Sequence, residues 1–104
     1  MTNYYYIATE PLSNTWETTK IENYLLSFDF LHKLDGNFES QNPYLIISLM
    51  KVKNKDRWSS LDYNKDETNY VSIITSDWGE QETDVINVLK GLEQFLGSNI
   101  YPDD

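Results

Sequence analysis

Tyr44-Leu45-Ile46-Ile47-Ser48-Leu49-Met50 is the longest strongly apolar run in the chain. Seven residues suit a β-strand and fall far short of the roughly 20 that a membrane-spanning helix needs. Pro43 precedes the run, and Lys53 to Asp56 leave the sheet, so the strand is predicted over Tyr44 to Val52. A continuous apolar run, as opposed to an alternating one, predicts a central strand buried on both faces. The rest of the chain has to supply its neighbours and its cover.

Two further strands are legible. Tyr4 to Thr9 is β-branched and aromatic, and Pro11 ends it because proline has no N–H for a ladder. Tyr70 to Thr75 alternates, with Val71, Ile73 and Thr75 set against Ser72 and Ile74. Arg57 to Tyr63 offers a short additional strand. Asn37 to Asn42 and Asp62 to Asn69 are polar and read as loop and turn.

Helical spacing appears twice. Ile21, Tyr24, Leu25, Phe28 and Leu31 recur at three and four residues, predicting a helix over about 19–35. Thr19 and Glu22 have capping-box spacing at its start, and Asp35-Gly36 offers a stop. Within it, Leu26-Ser27-Phe28-Asp29-Phe30 alternates like a strand, so residues 26–30 stay open between helix and strand, with the longer window favouring helix. The second stripe, Val85, Val88, Leu89, Leu92, Phe95 and Leu96, predicts a helix over about 80–96. Asp77 and Glu80 resemble a cap at its entry, and Gly97 closes it. The tail Tyr101 to Asp104 is expected to fray. Strands in runs with two amphipathic helices imply an α+β fold with a small, mostly antiparallel sheet of 3–5 strands. At 104 residues, 1–104 reads as a single domain.

Seventeen Asp and Glu face eight Lys and Arg, a formal net charge of −9. Residues 1–50 hold 6 acids and 2 bases, 51–70 hold 4 acids and 5 bases, and 71–104 hold 7 acids and 1 base. The surface is therefore expected to be electrically polar, with the bases gathered at Lys51, Lys53, Lys55 and Arg57. Net acidity argues against nucleic acid or anionic lipid as a partner, since both demand positive charge. With 8 Tyr and 3 Trp, the chain has the side chains that anchor protein interfaces. There is no Cys, hence no disulfide and no thiolate metal site. The N-terminus lacks a signal-peptide pattern, and the expected location is the cytoplasm.

No catalytic or cofactor motif stands out. Asp62-Tyr63-Asn64-Lys65-Asp66 begins like a calcium loop, but Glu67 stands where glycine is required and Ile73 where a bidentate Glu is required, so it reads as a polar turn. His32 is the only His and has neither a Cys partner nor a nucleophile signature; it reads as a histidine at a helix end or on the surface. Paired carboxylates such as Asp66-Glu67 and Glu80/Glu82/Asp84 read by default as solvated surface. No cofactor, metal or enzymatic activity is expected. The expected function is that of an acidic binding module that occludes a basic protein partner. Its candidate contact residues are Trp58, Asp62, Tyr63, Asp66, Glu67, Tyr70, Asp77, Trp78, Glu80, Glu82 and Asp84. For the acids near Trp78, helix capping and partner binding remain equally open.

The whole-chain profile, short, cysteine-free, acidic, rich in Tyr and Trp and α+β, resembles the immunity proteins of bacterial polymorphic toxin systems, including contact-dependent growth inhibition. That resemblance implies a protein that neutralises a cognate toxin, often a basic nuclease, inside the producing cell. It rests on overall character, and no functional residue is carried over by it. The alternatives are a phage-type DNA mimic that inhibits a restriction or CRISPR nuclease, with carboxylates standing in for phosphates, and a small enzyme or enzyme subunit without a recognisable motif.

Overall fold

The computed structural model describes residues 2–34, 36–41, 43–54, 62–76 and 83–103. Among the described residues, eight strands and two helices run in the order β1 (Asn3–Ala8), β2 (Trp16–Glu17), α1 (Thr18–Leu26), β3 (His32–Leu34), β4 (Asn37–Gln41), β5 (Tyr44–Met50), β6 (Glu67–Thr68), β7 (Tyr70–Thr75), α2 (Thr83–Leu96) and β8 (Tyr101–Pro102). The fold is α+β. Its main sheet has six strands, one more than the upper limit expected, in the order β3-β4-β5-β7-β1-β8, and every neighbouring pair is antiparallel. β2 and β6 form a separate two-stranded ribbon.

β5 lies inside the sheet, as its apolar run requires, but it is not buried on both sides. Leu45, Ile47 and Leu49 are buried, while Tyr44, Ile46 and Ser48 are half-exposed. An antiparallel sheet can leave one face to solvent, and this one does so. Leu45, Ile47 and Leu49 join Ile7, Val71, Ile73 and Phe38 in the main core. Against them pack Ile21 and Leu25 of α1 and Val85, Val88, Leu89 and Leu92 of α2. Both helices therefore cover the same face. Val71 and Ile73 take the inward positions that their alternation predicts, and Thr75 joins them, its hydroxyl donating to the Tyr44 carbonyl at 2.9 Å.

The first helix is half the expected length. It ends at Leu26, and residues 27–30 form turns, neither helix nor strand. Ser27 and Phe28 donate their N–H groups to carbonyls three residues back, at 3.2 Å each, and the Ser27 hydroxyl donates to the Tyr24 carbonyl at 2.6 Å. These tighter bonds, with a serine side chain competing for a helix carbonyl, uncoil the last turn. The expected Thr19–Glu22 box does not form. Glu17 occupies the cap position without a side-chain bond, and the Glu22 carboxylate is engaged elsewhere.

The chain then makes the β3–β4 hairpin, where continued helix and a loop were expected. Leu34 pairs with Asn37, and Gly36 takes φ of +90°. The same left-handed tolerance that makes glycine a helix stop serves Gly36 here, between two paired strands. His32 is consequently exposed on an edge strand, away from any helix end. The tail is also ordered where fraying was expected. Tyr101 and Pro102 pair with Tyr6 and Tyr5, and Asp103 N–H donates to the Tyr4 carbonyl at 2.8 Å. Gly97, at φ of +68°, closes α2 as expected; its N–H and that of Ser98 converge on the Glu93 carbonyl. No helix among the described residues is long and apolar enough to cross a membrane.

Candidate functional site

Two regions concentrate polar and aromatic chemistry: the acidic segment 62–68 and the sheet face opposite the helices. Segment 62–68 is a scaffolded turn. Asn64 accepts the N–H groups of Asp66 and Glu67 on its side-chain oxygen, both at 2.9 Å, which fixes the local bend. Thr18 donates its hydroxyl to the Asn64 carbonyl at 2.8 Å and accepts from the buried Thr68 hydroxyl at 2.7 Å. Lys51 N–H donates to the Asp62 carbonyl at 2.9 Å. The segment is thereby pinned to the start of α1 and the end of β5, on the helix side of the sheet.

Tyr63 leans over Gly36, where an added Cβ would lie 2.9 Å from its ring, and donates to the Glu22 carboxylate at 2.9 Å. Lys33 meets the same carboxylate at 3.3 Å. Burial, and then the Glu22 contact, push the Tyr63 hydroxyl above its usual range. A raised folded-state pKa gives stability that is complete below the unfolded tyrosine value and fades as pH rises through the folded one. Tyr63→Phe is therefore expected to flatten the alkaline limb of the stability-versus-pH curve, read by thermal melts at stepped pH. An unchanged limb would remove Tyr63 from that linkage.

Glu67 pairs with Lys51 and accepts from Thr15 at 3.2 Å. The Lys51 ammonium and its hydrogen bond hold the carboxyl below the usual carboxylate range. The sign is the reverse of Tyr63: the contribution exists above the unfolded carboxylate pKa and is lost as pH falls through the folded one. Lys51→Met should move the Glu67 titration upward, read by carboxyl carbon NMR, while leaving stability nearly unchanged, because exposed pairs contribute little. A titration that stays put would show that Lys51 does not set it.

Of the residues expected to meet a partner, Asp66, Glu67 and Asp84 are exposed, and Asp62 and Tyr63 are half-buried. Asp84 sits in the first turn of α2, separate from the 62–67 group. Tyr70 corrects the expectation. It is 1% exposed, stacked at 5.5 Å on Tyr6 of the adjacent strand, and so offers no surface. Trp58, Asp77, Trp78, Glu80 and Glu82 lie outside the described residues, as does most of the short strand proposed over Arg57 to Tyr63. Among the described residues, no three acidic or imidazole side chains converge as metal ligands would.

The sheet's second face was not anticipated. Register places Tyr4, Ile74, Ile46, Glu39 and His32 in one row across it. Tyr101, Tyr6, Ser72, Ser48, Asn37 and Leu34 form the next. Tyr70 and Met50 close one end in a small second core with Val52, against which Tyr6, Ala8 and Leu12 pack. Elsewhere exposure is greatest toward the two edges of the sheet, where Tyr4 is 53% exposed, Tyr101 51% and Leu34 57%, while Ser72 at its middle is buried. Among the described residues, none of its strand positions carries Lys or Arg. Five of the eight tyrosines, Tyr4, Tyr6, Tyr44, Tyr70 and Tyr101, share this face. A hollow of about 480 Å³ opens at its β1–β8 border, lined by Tyr6, Ala8, Glu10, Ser98, Asn99 and Tyr101.

No protein-family model, curated protein or solved structure matches this chain. Its reading therefore rests on its own residues. The signal for the face was present in the sequence as Tyr4, Tyr6 and Tyr44 at strand positions. Which side they occupy depends on strand register, and that the helices leave the side open depends on helix placement.

Proposed function

We propose that the chain is a non-catalytic acidic protein that binds a basic protein and covers its active site, in the manner of an immunity protein that neutralises a bacterial toxin such as a nuclease. The observation that carries this reading is the charge: 17 acids against 8 bases on 104 residues. Part of the basic complement is already committed within the molecule, Lys20 to Glu17, Lys33 to Glu22 and Lys51 to Glu67. An acidic surface of this kind steers a cationic partner into encounter, and its tyrosines supply rigid, amphipathic contacts once there.

The test is co-expression with toxin-like products of the adjacent genes. A 1:1 complex and rescue of growth are expected. The association rate should fall about tenfold or more from low to high salt, as electrostatic steering is screened. A chain that binds no basic toxin domain, or binds one with a salt-independent rate, overturns the reading. Inhibition that duplex DNA relieves by competition, without any cognate toxin, would assign it to the DNA mimics.

A further inference from the structure

The outward side of the sheet does not have the composition of a wetted face. An antiparallel sheet that shows one side to water alternates apolar inward and polar outward. Here Ile46 and Ile74, register partners on the adjacent strands β5 and β7, both turn away from the helices, and Tyr4 follows Ile74 in the same row. Both isoleucines and Tyr44 are partly exposed, and Tyr4 more so. The run Tyr44 to Met50 reads as a strand covered on both sides, and the single chain covers one. We propose that a second copy of this chain covers the other, the two sheets packing face to face about a two-fold axis that runs along the strands between β5 and β7. The inference stands apart from the basic-partner reading and leaves the acids at 62–67, on the helix side, free to meet such a partner.

Charge selects the occupant. In an isologous contact a patch meets its own copy, so a charged patch repels itself. The whole chain carries −9, but little of that charge is on this face. Among the described strand positions here, the ionisable groups other than tyrosine are Glu39 and His32, which lie opposite each other in register. A strongly charged partner finds no row of opposite charge to pair with, whereas a like face meets almost no repulsion. Depletion of charge with enrichment of aromatic side chains is also the composition of an interface core.

Area and register fit as well. The six strands span about 29 Å, and the outward residues from Tyr44 to Ser48 span about 17 Å, so two copies cover on the order of 1,000 Å². That is the lower bound of a specific interface, and it sets a weak dimer with a dissociation constant on the order of 10–100 μM. The two-fold axis sets Ile46 of one copy over Ile74 of the other. It also sets Tyr4 over Glu39, because these lie equally far from the axis in the same row. The tyrosine hydroxyl can then donate to the carboxylate, so the acid of the face is not buried unpaired.

Sedimentation equilibrium of the full chain, from micromolar concentration to about 1 mM, should show a monomer passing to a dimer and no further. Higher salt should strengthen the dimer, because it screens repulsion between two acidic chains whose contact holds few charges. That is the opposite of the salt effect expected for a basic partner, so the two readings can fail separately. Ile46→Asp and Ile74→Asp should each weaken the dimer at least about tenfold, by setting a carboxylate against isoleucine. Leu26→Asp makes the same charge change at an exposed site on α1 and should cost about twofold or less. Circular dichroism checks that each variant keeps its fold. A measurement without substitution accompanies these: amide shifts of the nitrogen-15-labelled chain that move with its own concentration should map to Tyr4, Ile46, Ser48 and Ile74 and spare Val88 and Leu92. A chain that stays monomeric, a mass that climbs past the dimer or a dimer that salt weakens overturns the inference. So do concentration-dependent shifts that map to the helices, or a Leu26→Asp that acts like the isoleucine variants.

Discussion

Asn69→Ala should lower stability by about 3–5 kcal/mol, among the largest effects of any single substitution in this protein. Asn69 is buried between β6 and β7 and bonds in five directions. Its backbone N–H donates to the Met50 carbonyl and its carbonyl accepts from Thr9, both at 3.0 Å. Its side-chain oxygen accepts from Val52 N–H at 2.8 Å, and its amide nitrogen donates to the carbonyls of Val52 at 2.8 Å and Leu12 at 2.9 Å. Alanine keeps the backbone bonds and orphans the other three groups, each costing about 1–3 kcal/mol where water cannot replace the partner. Urea unfolding measures the loss, and a value under about 1 kcal/mol would mean that water enters and satisfies them. Asn69→Asp gives a sharper reading. The carboxylate still accepts from Val52 N–H but faces two carbonyls where the amide donated, so the proton is favoured in the folded state. Its folded pKa is raised, and by linkage the variant should approach wild-type stability at low pH and fall away as pH rises. A deficit that does not change with pH would contradict this account.

The second large effect has an unexpected sign. Gly91 lies inside α2, where replacement by alanine ordinarily gains about 1 kcal/mol of helix stability. Here a Cβ would collide with the Tyr24 hydroxyl, which donates to the Val88 carbonyl at 3.2 Å. The ring cannot swing freely aside. It is stacked on Phe95 at 5.0 Å and meets the edge of Phe28 at 5.4 Å. Gly91→Ala is therefore expected to destabilise by about 1–3 kcal/mol, as overpacking does. Tyr24→Phe removes the obstructing oxygen at the cost of one hydrogen bond, about 1 kcal/mol. In that background Gly91→Ala should become neutral or stabilising, so the double-mutant cycle should show a coupling of opposite sign to the single loss. A higher melting temperature for Gly91→Ala alone would show that the α1–α2 contact yields.

Phe95 illustrates why such details escaped the sequence. Its spacing puts it on the apolar stripe of α2, yet it is 47% exposed and serves as the stacking surface for Tyr24. The helical period identifies a face and leaves the position of its border to the neighbouring helix. Residues 37–41 show the same gap from the other side. Asn-Phe-Glu-Ser-Gln has one aromatic and no β-branched residue, so nothing local favours a strand. It becomes β4 because β5 offers an unpaired edge and Phe38 a side chain to bury. Tyr70 looked like a contact residue because a polar turn precedes it. Stacking by Tyr6, 64 positions earlier in the chain, decides its burial.

The candidate site divides along the same line. The excess of acid and the supply of tyrosine are properties of composition and were legible at once. The acids at 62–67 were also legible, as a polar turn, and the structure adds that the Asn64 side chain holds it. The tyrosine-bearing face was not, because a strand's period of two assigns residues to two sides without saying which side the helices will cover.

By itself, the sequence determined the α+β class, β5 as an interior strand, the period and closure of α2 and the sign of the surface charge. All of these follow from short-range rules: apolar runs, a repeat of 3.6, the conformational freedom of Gly97 and a count of carboxylates. Only the tertiary structure decided that α1 stops at Leu26, that β3 and β4 pair as a hairpin, and that β8 seals the edge of β1. It also decided that both helices lie on one side and leave five tyrosines on the other. The physical reason is that these outcomes depend on contacts between residues far apart in the chain. Pairing partners and buried faces exist only once the sheet has assembled.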